Sequence, residues 1–200
     1  MPKTKVIIPG PNTSNVGARL AEWSKLPKYV AQEKSLDKLF STFSSNTDLI
    51  DVLIKVSCLN DFYSTNIFSV YDVAQHIFSI HDLDNRLHAG DLTLVNDIAV
   101  VKSLHKNFYS FASKFCSHHE PCKFPIYDYY VEKVLLYFKK KDSFFKFKKE
   151  ELKNYESFYK ILEEFRKFYS LKSFSMKEID RYLWLTGKQY FPRKYSHSHI

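Results

Sequence analysis

Between Leu104 and Val134 the chain runs LHKNFYSFASKFCSHHEPCKFPIYDYYVEKV, and this stretch holds the side chains best suited to act on a substrate. Asp128 is its centre. Pro125 resets the backbone just before it, so a helix can begin near Asp128 and bury Val131, Val134 and Leu135. A carboxylate in that position has two uses. It can accept hydrogen bonds from the free N–H groups of the helix end and offset the positive end of the dipole. It can also steady a developing positive charge or draw a proton from water. Cys116, His118, His119 and Cys122 bring two thiols and two imidazoles into one short run. That is enough donor chemistry for zinc, but structural zinc sites use two separated pairs and no second pair follows, so no metal is expected.

Helices must position these groups. Apolar residues recur at Leu104, Phe108, Phe111, Ala112 and Phe115, which predicts a helix over 104–116 with one buried face. The run His118-His119-Glu120-Pro121 then breaks the period and predicts a loop beside Asp128.

The pattern carries a resemblance. Ser110-Phe111-Ala112 is followed, eighteen residues after Ser110, by Asp128 in Ile126-Tyr127-Asp128-Tyr129-Tyr130-Val131. In spacing and flanking residues this resembles the core of the helix-hairpin-helix DNA glycosylases, the endonuclease III-type superfamily. The resemblance implies an all-α fold of two helical lobes around a DNA-binding groove, with Asp128 as the catalytic carboxylate. Where that family's hairpin usually reads Leu-Pro-Gly-Val-Gly, this chain has Leu104-His105-Lys106-Asn107-Phe108, without glycine. Asn107 tolerates a left-handed backbone and Lys106 can reach a phosphate through its charge. The lysine nucleophile of the bifunctional members is replaced by Ser110, which implies a monofunctional enzyme, with Lys114 as the alternative lyase nucleophile. No cysteine follows Cys122, so the family's iron–sulfur cluster has no ligands here and no cofactor is expected.

By the same resemblance Phe111, Tyr129 and Tyr130 would hold a flipped base, and Lys106, Asn107, Ser110, His118 and His119 would contact DNA. The run Ser64-Thr65-Asn66-Ile67 would supply the wedge that fills the vacated stack, with Asn66 the candidate and Tyr63 the second. Read from the residues alone, Asn66 or Thr65 serves equally well as a helix cap. The expected reaction is hydrolysis of an N-glycosidic bond to release a damaged or modified base and leave an abasic site. Bulky modified cytosines of phage DNA, removed in defence, are one expected target. Two other readings stay open: a non-catalytic DNA-binding protein of the same fold, and a helical interaction module.

Composition sets the limits. Two hundred residues with 44% hydrophobic and 17% aromatic content suit one folded domain over 1–200, and only 4 glycines argue for helices rather than tight turns. The approximate lobes would be 48–138 and, together, 1–47 with 139–200. A net charge of +8 favours a polyanionic partner, most simply double-stranded DNA. Three scattered cysteines suit a reducing compartment, and neither a signal-peptide core nor a run long enough to span a bilayer stands out. The expectation is a cytoplasmic monomer with no membrane partner.

In chain order, Pro2, Pro9, Gly10 and Pro11 predict an extended arm over 1–15. Helices are predicted from Val16 to Lys25, after a Ser35 cap, from Thr47 until a polar break at Ser57, and from Ile67 to Ile80. Asp82 to Asp91 reads as a loop or short helix, and Asp91 to Ser103 as a helix. Lys139-Lys140-Lys141 with Phe144, Phe145 and Phe147 suits either a phosphate-contacting surface loop or a linker with part-buried rings. Tyr155 to Tyr169 is a further helix. The last opens on a capping box, Ser175 to Glu178, and is expected to stop at Gly187, before a basic irregular tail. That makes about nine or ten helices.

Overall fold

The computed structural model describes residues 7–193, and the chain within them is all-α, with ten α-helices and one two-stranded hairpin. The expected basic tail after 193 and the first six residues of the expected arm lie outside the described residues. The helices are α1 (Thr13–Trp23), α2 (Pro27–Thr42), α3 (Leu49–Tyr63), α4 (Val70–Phe78), α5 (Leu83–Ala89) and α6 (Thr93–Ala99), followed by α7 (Tyr109–His119), α8 (Tyr129–Asp142), α9 (Tyr155–Phe168) and α10 (Met176–Tyr190). Among the described residues no helix is long and apolar enough to cross a membrane.

Side-chain caps fix several starts. Asn12 accepts from Asn15 N, Asp48 from Ile50 N, Asn154 from Ser157 N, and the Ser175–Glu178 pair closes the capping box of α10. Other boundaries differ from the sequence expectation, each for a local reason. Helix α1 begins at Thr13, inside the expected extended arm, because Asn12 caps it. Ser35 lies inside α2 and donates back to Ala31 O at 2.8 Å, while Pro27 starts that helix. Ser57 likewise donates to Leu53 O, so α3 continues to Tyr63 instead of breaking. Helix α10 passes through Gly187 to Tyr190, and there glycine serves packing. A Cβ on Gly187 would stand 2.6 Å from Tyr130 Cβ and 2.7 Å from Tyr130 O, so the absence of a side chain lets α10 press against the first turn of α8.

Helix α7 is the core element. Tyr109 and the seven residues from Phe111 to Ser117 are all buried, as befits a helix that packs against α2, α3 and α6 at once. It begins at Tyr109 rather than Leu104, because the residues before it form a hairpin. Strand β1 (Val100–Val101) pairs antiparallel with β2 (Lys106–Asn107), Val100 opposite Asn107 and Val101 opposite Lys106. A 3-10 turn, Lys102–Leu104, and His105 at φ 50° close it, and Phe108 N donates to Ala99 O at 2.8 Å. Two helices, α6 and α7, are thus joined by a hairpin whose tip, apart from Leu104, is exposed.

Of the basic aromatic run, Phe144 and Phe147 are buried, with Phe144 5.3 Å from the ring of Phe165. The lysines Lys139 to Lys141 belong to the last turn of α8. The surface-loop expectation fails for these rings, because the apolar face of α9 is there to cover them.

Candidate functional site

Ser110, Lys114 and His118 recur at intervals of four along α7 and so share one stripe. Lys114 is 5% exposed, and its ammonium donates to Ser110 Oγ at 2.5 Å and to Ser110 O at 3.1 Å. Tyr63, the last residue of α3, closes over this stripe. Its ring lies 5.1 Å from Lys114 Nζ, and its hydroxyl shares a 2.9 Å hydrogen bond with His118 Nε2. His118 Nδ1 in turn stands 3.9 Å from Asp37 on α2.

Asp128 approaches the same place from α8. It is the N-cap of that helix, in extended backbone, and accepts from Val131 N at 2.8 Å. Burial raises its carboxyl above the ordinary value, while Lys114, the backbone N–H groups of Val131 and Tyr130, and Arg193 pull the other way. Burial likewise lowers the Lys114 amine, which Asp128 and Asp180 act to raise and Arg193 to lower further. A second carboxylate thus enters from α10. Asp180 is pushed well above the usual range by burial and by Asp128, against Lys114, Arg181 and Lys177. The site is therefore one buried amine with two partly exposed carboxyls near it, edged by a tyrosine and a histidine. Such groups can hold a positive centre, pass protons or attack an electrophilic carbon.

The other expected site residues fall differently. Phe111 is 2% exposed in the core, with its ring 6.4 Å from that of Phe115, so it cannot line a base pocket: the face of α7 that carries it is the buried one. Tyr129 and Tyr130 remain partly exposed, with the Arg193 guanidinium 4.5 Å from the ring of Tyr129 and 5.9 Å from that of Tyr130.

His118 and His119 form the last turn of α7, not a loop, because the helix persists until Glu120-Pro121. The side chain of His118 is 6% exposed, and His119 lies between Phe40 and Phe115 with centroids 4.8 and 5.0 Å away. Neither faces out toward DNA. Burial, then Lys55, depress His119 to about 3. Lys55 is itself fully buried, and its ammonium donates to Phe43 O, Ser45 O and Asn46 Oδ1. Asn46 passes the link on to Asp84 and His119, so this network holds α2, α3, α5 and α7 together.

Lys106 and Asn107 are exposed on the hairpin, but His105, not Asn107, takes the left-handed backbone. Asn66 is exposed at φ 57°, and neither it nor Thr65 caps α4. Thr65 Oγ1 donates to Asn60 Oδ1, which also accepts from Ile67 N, so Asn60 organises the turn. Tyr63, the second wedge candidate, is committed instead to Lys114 and His118. Two residues in this region escaped sequence reading. Phe68 is 95% exposed at the α3–α4 junction, and its signal was a single aromatic among Ser, Thr and Asn. Asp180 lay unnoticed inside an ordinary amphipathic helix. Cys116 is buried and Cys122 exposed, and among the described residues no group of three or more His, Cys, Asp or Glu is placed to hold a metal.

No solved structure matches the chain. An uncharacterized protein of Haemophilus influenzae is 49% identical to it over 150 residues, which cover 74% of this chain and 72% of the relative. The family model HI_0787_N, an N-terminal domain, matches residues 15–123, from α1 through the hairpin and α7. Tyr63, Ser110, Lys114 and His118 fall inside that match and Asp128 just beyond it; with more than half of its length so matched, the chain belongs to the HI_0787_N family.

Proposed function

We propose that the protein is a DNA N-glycosylase of helix-hairpin-helix type, which hydrolyses the bond between a damaged or modified base and its deoxyribose. The observation that carries this reading is Asp128 at the N-terminus of α8, coupled to Lys114 on the helix that follows the α6–α7 hairpin. Breaking the glycosidic bond builds positive charge on the sugar, and a carboxylate beside it opposes that charge and takes a proton from the attacking water. A raised carboxyl makes the better base near neutral pH. Lys114 acts as its counter-charge, held in place by Ser110. The exposed tip with Lys102, His105 and Lys106 supplies phosphate contacts, and Asn66 or the neighbouring Phe68, rather than Tyr63, is the side chain placed to enter a vacated stack. Tyr129 and Tyr130, beside Arg193, are the proposed contacts for the extruded base. Phage cytosines carrying bulky groups are the proposed targets, which would make the enzyme a defence against such DNA.

The test is incubation with end-labelled duplexes carrying uracil, oxidised purines, alkylated purines or modified cytosines, with phage DNA rich in modified cytosine alongside. Strand breaks that appear only after alkali are the expected result. Breaks without alkali would make Lys114 a Schiff-base nucleophile, a reading its burial also favours. Intact DNA across the whole panel overturns the proposal.

A further inference from the structure

Helices α1, α2 and α10 border a cleft of about 410 Å³, lined by the apolar Leu26 and Leu185, the ring of Tyr29 and the cations Arg19, Lys25 and Lys188. That is room enough for a small ligand or one nucleotide unit. The acid of the lining, Glu22, is held by Arg19 at 2.6 Å, so Lys25 and Lys188 leave a surplus of positive charge. The ammonium of Lys188 donates to the Tyr29 hydroxyl and stands 4.0 Å from the centre of the Tyr29 ring and 4.7 Å from that of Trp184.

This pairing of ring and cation continues beyond the cleft. Centroid to centroid, Tyr29 lies 5.1 Å from Trp184, Trp184 6.1 Å from Tyr130, and Tyr130 5.4 Å from Tyr129. At the far end the Arg193 guanidinium is 4.5 Å from the Tyr129 ring centre and Lys133 Nζ is 5.2 Å from it. Trp23 flanks the near end, 6.1 Å from Tyr29 and 5.7 Å from Trp184, with the Arg181 guanidinium 5.4 Å from its ring. All five rings are partly exposed, whereas the rings of Phe111 and Phe115 in the core are covered.

We infer that this row binds single-stranded nucleic acid, with one base in the cleft against Tyr29 and the strand's phosphates along Lys25, Lys188 and Arg193. An unpaired base offers a flat apolar face beside an anionic phosphate, and the row answers repeatedly with an aromatic ring beside a cation. Bases in a duplex are stacked on one another and hidden, so a duplex can use the cations alone. A small anion would need the cleft but not the run of rings that leads away from it. Tyr129 and Tyr130 are the rings that the glycosylase reading gives to an extruded base. The rest of the row lies outside that reading, and it holds a strand whether or not a base is cut out.

The chain's two tryptophans, Trp23 and Trp184, both belong to the row, so their fluorescence reports its occupancy. The experiment is titration of that fluorescence in the full chain with oligothymidylate and with oligouridylate of about 12 nucleotides, with a duplex of equal length, and with thymidine monophosphate. At least one of the two strands should quench it saturably and bind about 10-fold or more tightly than the duplex or the monophosphate. Replacing Lys25→Gln and Lys188→Gln together removes two phosphate contacts and should lower the slope of log affinity against log salt by about 1.4. Tyr29→Leu should weaken the strand by about 10-fold, the stacking of one base, with the circular dichroism spectrum kept. Lys25 is exposed and Lys188 partly so, which keeps the lysine variant decisive if Tyr29→Leu fails to fold. A duplex that binds as tightly as either strand overturns the assignment, and so does an unchanged affinity and salt slope in the lysine variant. A monophosphate that binds as tightly as the strand overturns the row and leaves a nucleotide pocket only. All these arms use undamaged nucleic acid and read binding, so their failure is distinct from failure to release a base.

Discussion

Asp128 caps α8 and is drawn toward its charged form by Lys114, and the two roles separate on substitution. Asparagine is as good a cap as aspartate, so Asp128→Asn should melt close to wild type while losing base release by about 100-fold or more. Asp128→Ala should lose both, with about 1 kcal/mol of stability gone in urea unfolding. His119 makes a second prediction at this scale. Its folded value of about 3 lies below the unfolded one, so its neutral form is fully stabilising above the unfolded value, and that stability drains as pH falls from about 6.5 toward 3. Asp180 acts with the opposite sign, since a raised carboxyl binds a proton in the folded state first. The comparison to make is therefore His119→Phe against wild type. The variant should lose about 2 kcal/mol less than wild type between pH 7 and pH 5 in urea unfolding; equal losses would sink the assignment. Ser110 and Lys114 were legible as neighbours because spacing along a helix is spacing in space, and Asp128 as a helix start because Pro125 resets the chain before it. Asp180 and Tyr63's role were not, since each depends on a partner far away in the chain.

Among the elements, the α6–α7 hairpin shows how a glycine-free sequence makes a turn that usually asks for glycine. His105 accepts a left-handed backbone at φ 50°, at a conformational cost that glycine avoids. His105→Gly should therefore leave stability unchanged or raise it by up to about 1 kcal/mol, with an unaltered circular dichroism spectrum. A clear loss would show that the His105 side chain, not the turn, holds the hairpin. Helix starts with a Ser, Asp or Asn cap were readable in advance, as the capping box at Ser175 illustrates. Boundaries inside polar runs were not. Ser35 and Ser57 look like punctuation in the sequence, yet each turns its hydroxyl back to a carbonyl of its own helix. The apolar period that begins at Leu104 is shared by a 3-10 turn and a helix, so periodicity alone placed the start of α7 too early.

At the scale of the molecule, a charge of +8 predicts duplex binding that weakens steeply with salt. If about 6 phosphates are contacted, raising salt from about 50 to about 200 mM should cost about 1,000-fold in affinity, measured by fluorescence anisotropy on an unmodified duplex. A flat salt response would remove DNA as the partner. The all-α class followed from composition and period, whereas the convergence of α3, α7, α8 and α10 on one site needed long-range packing that no local pattern records. The contact between Gly187 and Tyr130 carries that packing into the sequences of relatives. Because a Cβ would meet backbone atoms of Tyr130 as well as its side chain, no exchange at position 130 makes room for one. Glycine at the matching position of a relative therefore reports the same separation of α8 and α10. Any other residue there reports helices standing further apart, and with them a first turn of α8, the one Asp128 caps, shifted from its place against α10.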